Sequence, residues 1–237
     1  MSNSYFRFQQ FTVHQDRCAM KVGTDGTLLG AWARGGRRIL DIGTGTGLIA
    51  LMMAQRFPQA VVTAVDIDED AVGQASENVA ASPFAGRIAV EQADIRTMER
   101  PDGDGGYDVI VVNPPYFNKS LKSPDSQRTT ARHTDTLTYR QLMEATMRLL
   151  ADGGELSVVI PTDCKAQLES EALLAGLSKV RECGVRTVPR KPPYRYLLTF
   201  ARHPAALQVE EGVVETASGE RSAWYRELTQ AFYLEKN

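Results

Sequence analysis

Several absences in this sequence each exclude a class of protein. No run of about 18 apolar residues occurs in its 237 positions, so no membrane helix is expected. The opening stretch, MSNSYFRFQQ, has no basic start followed by an apolar run, so no secretory leader is expected either. There are three cysteines, Cys18, Cys164 and Cys183, far apart and with no CxxC pair. Such spacing suits neither a zinc site nor a redox couple and points to packing thiols in a reduced, cytoplasmic protein. His14, His133 and His203 are equally scattered, so no metal site is expected. Repeats and low-complexity tracts are missing. So is any excess of charge: 27 Lys+Arg stand against 29 Asp+Glu, a net of −2. A uniformly basic polyanion binder is thereby excluded.

What is present is an ordinary globular composition, 43% hydrophobic and 24% charged. The charge is segregated. Residues 1–40 carry six basic and two acidic side chains, and residues 41–112 carry four basic and twelve acidic. Residues 113–140 have five basic against two acidic, and residues 181–203 have six against one. One acidic lobe flanked by basic segments is compatible with a polyanionic partner held away from the acids.

Between Arg37 and Arg202 short β-rich runs alternate with helix-like stretches, the pattern of an α/β protein. Strands are expected at Arg38–Ile42, Val61–Asp66, Ile88–Gln92, Tyr107–Asn113, Glu155–Ile160, Val180–Val188 and Tyr194–Ala201. Helices are expected at Leu48–Arg56, Asp68–Ala81 and Leu137–Leu150, the last stopped by Gly153–Gly154. Residues 118–136 are polar and without period, as in a functional or disordered loop. The tail from Pro204 holds a possible strand, Leu207–Val214, and an aromatic-rich helix, Ala223–Leu234. A doubly wound, mostly parallel sheet should place its ligand at the strand C-terminal ends.

Chemistry-bearing residues cluster at those ends. Asp41-Ile42-Gly43-Thr44-Gly45-Thr46-Gly47 turns from a buried strand into a helix, where glycine permits close ligand approach. A dinucleotide site would want its third glycine at position 48, which is Leu48. The G-x-G-x-G spacing behind an acid instead suits S-adenosylmethionine, whose ammonium and sulfonium favour nearby carboxylates such as Asp41. Asp66, followed by Ile67, ends the second strand, where a carboxylate can bind both ribose hydroxyls. Asp94 follows the third strand, placed to receive an adenine amine while Ile95 packs on the ring. Either acid alone reads equally well as a loop cap; three at successive strand ends do not.

The fourth strand runs into Asn113-Pro114-Pro115-Tyr116. This motif resembles that of class I methyltransferases acting on planar nitrogens, chiefly the exocyclic amine of adenine. Such an amine is a poor nucleophile because its lone pair is delocalised into the ring. Accepting its two hydrogens on the Asn113 side-chain oxygen and the Pro114 carbonyl would aim that lone pair at the donor. Pro115 stiffens the turn, and Tyr116 offers a stacking face.

Cys18-Ala19-Met20-Lys21-Val22-Gly23-Thr24-Asp25-Gly26-Thr27-Leu28-Leu29-Gly30-Ala31-Trp32 resembles the N-terminal signature of bacterial tRNA1(Val) adenine-37 N6-methyltransferases. Ala131-Arg132-His133, Arg190-Lys191-Pro192-Pro193-Tyr194 and the closing Phe232-Tyr233-Leu234 are similar to that family as well. The resemblance implies a class I, Rossmann-like, seven-stranded core over residues 37–203. It further implies an N-terminal extension, 1–36, that closes the cofactor site through Lys21 and Thr24, and a docked accessory element, 204–237. The implied reaction is methyl transfer from S-adenosylmethionine to N6 of an adenine in a tRNA anticodon loop, by a monomer without metal. Tyr116, Phe117, Lys119, Arg132, Arg190, Lys191 and Tyr194 would then contact the RNA. The alternatives are the same chemistry on a protein glutamine, a DNA adenine or an rRNA guanine, or a cofactor-binding scaffold without activity.

Overall fold

A computed structural model describes residues 3–18, 21–100, 105–114 and 137–234. The expectations for Pro115, Tyr116, Phe117, Lys119 and Arg132, and for residues 118–136, fall outside the described residues.

The chain begins with a small antiparallel hairpin, β1 (Tyr5–Arg7) and β2 (Thr12–His14). A helix, α1 (Thr24–Trp32), precedes the sheet. The central elements are β3 (Arg38–Ile42), α2 (Leu48–Arg56), β4 (Val61–Asp66), α3 (Glu69–Ala80), β5 (Ile88–Gln92) and β6 (Tyr107–Val112). After them come α4 (Tyr139–Leu149), β7 (Leu150–Pro161), α5 (Lys165–Leu174), β8 (Ser178–Arg186), β9 (Arg195–Ala201), β10 (Gln208–Val213) and α6 (Ala223–Thr229).

Eight strands form one sheet in the order β10-β8-β9-β7-β6-β3-β4-β5. Only β9 runs antiparallel to its neighbours, β7 and β8. The seven expected strands are all present, and the tail strand adds an eighth at the edge, parallel to β8. The central strands are apolar at nearly every position because helices cover both faces. Along β6, Val109 and Val111 join the core beneath α1 and α2, while Ile110 and Val112 join the core beneath α4 and α5. This is the two-residue alternation of a strand buried twice.

Three elements departed from the sequence reading for physical reasons. Helix α1 is buried from Gly26 to Trp32, so it has no polar face to create a helical period. Helix α5 buries only Leu168 and Ala172, too few to stand out. Gly153 and Gly154, expected to stop α4, lie inside β7, where the register to β6 shifts between Tyr107 and Val109. A Cβ on Gly154 would stand 2.7 Å from the Tyr107 carbonyl oxygen, so glycine is required by the bulge.

The tail also holds the N-terminus. Gln9 donates from its backbone to Phe232 O at 2.8 Å and from Nε2 to Gln230 O and Tyr233 O at 2.8 and 2.7 Å. Phe8 stacks on Phe11 and Tyr233, and Phe232 is fully buried in the same cluster. Removing that ring by Phe232→Ala should cost about 3–5 kcal/mol, read by urea denaturation. A loss below about 1 kcal/mol would mean that the tail is not part of the cooperative core.

Candidate cofactor and methyl-transfer site

The topology creates the site. The chain leaves β3 toward β4 and β5, then returns to lay β6 on the other side of β3, which opens a crevice at the strand ends. Because Ile42 pairs with Val112, the glycine loop and the Asn113 turn leave the sheet side by side. Both line a cavity of about 470 Å³. Lys21, Thr24, Asp25, Thr187, Tyr194 and Arg195 complete its wall. The expected Lys21, Thr24, Gly43, Gly45, Asn113 and Tyr194 therefore come together, although they are spread from the N-terminal arm to β9.

The glycine loop is held from below. Asp41 is 0% exposed, and its Oδ2 accepts from Thr44 Oγ1 at 2.7 Å and from the Ala50 N–H at 3.1 Å. From above, the Gly43 and Thr44 amides donate to Val65 O, and the Gly45 amide donates to Asp66 Oδ2 at 2.9 Å. Gly43, Gly45 and Gly47 all have positive φ, +66°, +55° and +80°. A Cβ added at Gly43 or Gly45 would meet no atom within 4 Å, so these two glycines border open space rather than packed protein. Their strained conformation, not crowding, requires glycine here.

Several other expected site residues stand differently from those in the cavity wall. Asp41 is not part of the cavity wall; its Oδ2 is bonded beneath the loop, as the strand alternation that buries Asp41 toward α2 dictates. Ile95 is 5% exposed and packs in the core under α4, which leaves little surface for a ligand ring. Ile67, by contrast, is 50% exposed at the end of β4. Asp94 is held by Arg96, whose Nε lies 2.8 Å from Oδ1, and these hydrogen bonds keep its carboxyl below the ordinary range. Arg190 and Lys191 are exposed on the turn between β8 and β9 and lie outside the cavity wall.

Sequence reading missed one feature of the wall. Arg195 Nε donates to Asp25 Oδ2 at 2.8 Å, which ties β9 to the first turn of α1, and its guanidinium lies 5.1 Å from the Tyr194 ring centre. The partners are 170 positions apart, so no local pattern announces them. Two of the three cysteines are held in the thiol form. Burial, then the charge of Asp66, pushes the Cys18 thiol up to about 11, and burial pushes Cys183 up to about 12. Among the described residues no cluster could hold a metal ion, and no helix is long and apolar enough to cross a membrane.

These residues fit S-adenosylmethionine better than a phosphate-bearing nucleotide. Asp41 Oδ1 is a buried acceptor with no partner among the described residues. A carboxylate under the loop attracts a cationic ligand and repels a pyrophosphate. The Asp66 carboxylate lies at the tip of the neighbouring strand, where ribose hydroxyls could reach it.

The chain is similar to known proteins over most of its length. Residues 26–184 match the model of the methyltransferase small domain. The chain is 49% identical over 237 residues to the tRNA1(Val) (adenine(37)-N6)-methyltransferase of Bacteroides thetaiotaomicron, covering 99% of each chain. It is 45% identical to the protein of the same name from Tolumonas auensis, covering 99% of this chain and 98% of that one. A crystal structure titled a predicted O-methyltransferase, from Agrobacterium tumefaciens, shares the fold at a TM-score of 0.65 and 20% identity. The match covers 90% of this chain and 100% of that one.

Desolvation pushes the Asp41 carboxyl up to about 7. A carboxyl with a raised folded-state pKa favours the protonated form, so its ionisation opposes folding. Stability should therefore fall as pH rises from about 4 to about 7 and then level off. Denaturation across that range should show the slope in the wild type and its loss in Asp41→Asn; an identical slope in both would exclude Asp41 as its source.

The fold, the glycine loop beside Asn113 and the full-length similarity lead to one assignment: this chain belongs to the tRNA1(Val) (adenine(37)-N6)-methyltransferase family.

Proposed function

We propose that the protein methylates N6 of an adenine in the anticodon loop of tRNA, at position 37 of tRNA1(Val), with S-adenosylmethionine as donor. The observation that carries this reading is the pairing of Ile42 with Val112, which sets the glycine loop against Asn113 at one cavity. S-adenosylmethionine supplies a methyl group activated by its sulfonium. Gly43 and Gly45 let it approach the backbone, Asp66 binds its ribose, and Lys21 and Thr24 close over its methionine end.

Asn113 Oδ1 and the Pro114 carbonyl accept the two amine hydrogens of the target adenine. This holds the nitrogen lone pair toward the methyl group and stabilises positive charge as it develops on the amine. The spare proton leaves after transfer, so no strong general base is needed. Tyr116 stacks on the base, which must leave its own stack to enter. Phe117, Lys119 and Arg132, with Arg190 and Lys191, contact the surrounding RNA. The acidic lobe is kept to the cofactor side, and the basic segments face the phosphates.

Tritium-labelled S-adenosylmethionine incubated with total tRNA should yield labelled N6-methyladenosine after digestion to nucleosides. Label on protein or DNA instead would overturn the reading. Asn113→Ala should reduce kcat by about 10²–10³-fold with donor affinity unchanged, the loss expected when one preorganised polar contact is removed. Parallel loss of donor affinity would make Asn113 a structural residue. Replacing Arg190 and Lys191 together with Ala should weaken tRNA binding and flatten the plot of log K against log salt by about 1–2. An unchanged slope would remove both from the interface.

A further inference from the structure

Two walls of the cavity belong to segments that no strand pairing joins. One is the glycine loop after β3, and the other is the stretch from Lys21 to Gly26, delivered by the N-terminal arm. A single fully buried side chain on α3, Asn78, bonds to the glycine loop at Thr46 and to the N-terminal arm at His14, upstream of Lys21. Its Oδ1 accepts from the His14 N–H at 2.8 Å. Its Nδ2 donates to the His14 carbonyl at 2.8 Å and to the Thr46 carbonyl at 2.9 Å. Thr46 is itself part of the cavity wall.

The same face of α3 continues the attachment. Gln74 Oε1 accepts from the Arg17 N–H at 3.1 Å, and Glu77 pairs with the Arg17 guanidinium. Gln74, Glu77 and Asn78 stand at i, i+3 and i+4, so they share one side of the helix. The arm then passes its position on: Gln15 Oε1 accepts from the Val22 N–H at 2.7 Å, and Val22 lines the cavity. Gly47 lies beside Ala75 of α3, and its φ of +80° is what calls for glycine there.

We propose that Asn78 is a positioning residue for the methyl donor, fixing the spacing between the glycine loop and the arm that closes over it. An amide is suited to the task because it supplies an acceptor and two donors at one point. Both of those donors and the acceptor are used, by backbone groups of two different segments. A loop built on three positive-φ glycines has little conformational restraint of its own, so a tie on the Thr46 carbonyl limits where it can settle. Asn78 is not itself part of the cavity wall and acts only through His14 and Thr46. The proposal rests on the reading of this cavity as an S-adenosylmethionine site.

The test compares Asn78→Ala with a control of similar burial, Thr199→Val, which removes the hydroxyl bonded to Ser157 Oγ in the distant core of the sheet. Calorimetric titration with S-adenosylmethionine should show about tenfold weaker binding in Asn78→Ala and a change below about twofold in Thr199→Val. Hydrogen exchange at the His14 and Val22 amides should accelerate in Asn78→Ala and slow again when the donor is added. If Asn78→Ala does not fold, Asn78→Asp serves, because it keeps the acceptor for His14 while losing the donors to both carbonyls; it should weaken donor binding in the same direction. Wild-type binding with unchanged affinity in the variant would overturn this proposal alone. So would parallel losses in Asn78→Ala and Thr199→Val. A wild-type protein with no affinity for the donor would overturn the methyl-transfer reading and this proposal with it.

Discussion

The carboxylate of Asp41, buried at the end of the central strand β3, organises the turn on which the site is built. It accepts from Thr44 Oγ1 and from the Ala50 amide, so it fixes both the start of the glycine loop and the first turn of α2. Val65 and Asp66, at the end of β4, hold the other side of the same loop. The loop is thus clamped between two adjacent strand ends, and its glycines can present open backbone to a ligand. Such a clamp carries a cost, since a carboxyl with one unpartnered buried oxygen resists ionisation.

Around that loop, the chain assembles a wall from parts that are distant in sequence. The arm preceding α1 brings Lys21 and Thr24, β6 brings Asn113, and the β8–β9 turn brings Thr187 and Tyr194. Each part is tied down separately. Arg195 and Asp25 join β9 to α1, Asn78 joins the arm to the loop, and the tail packs its aromatic rings against the N-terminal hairpin. The N- and C-terminal segments are thereby packed against each other and against the elements that carry the site.

Much of this was legible in the residues. Strands Arg38–Ile42, Val61–Asp66 and Ile88–Gln92 fall where the β-rich runs end at turn signals. Helix α2 likewise starts after Gly47 and stops before Pro58. Periodicity fails where burial is complete, as in α1, or sparse, as in α5. The candidate site was legible where chemistry and backbone geometry coincide, at Gly43, Gly45 and Asn113. It was less so for Ile95, because position in sequence does not say whether a side chain beyond a strand turns into the core or toward a ligand. The Arg195–Asp25 pair and the Asn78 brace depend on long-range folding, and local patterns contain no trace of them. Net charge was the least informative quantity: a total of −2 conceals twelve acidic against four basic residues in 41–112 and a basic excess in 1–40, 113–140 and 181–203.

The central claim is that the glycine loop and the Asn113 turn, brought together by the β3–β6 pairing, deliver a methyl group to one adenine amine. Mass-spectrometric mapping of nuclease fragments, after incubating unmodified tRNA with the protein and trideuteromethyl-labelled S-adenosylmethionine, tests it most directly. A single labelled N6-methyladenosine is expected in the anticodon-loop fragment of tRNA1(Val), on the adenine adjoining the anticodon. Label confined to guanine, or spread over adenines of paired stems, would contradict it.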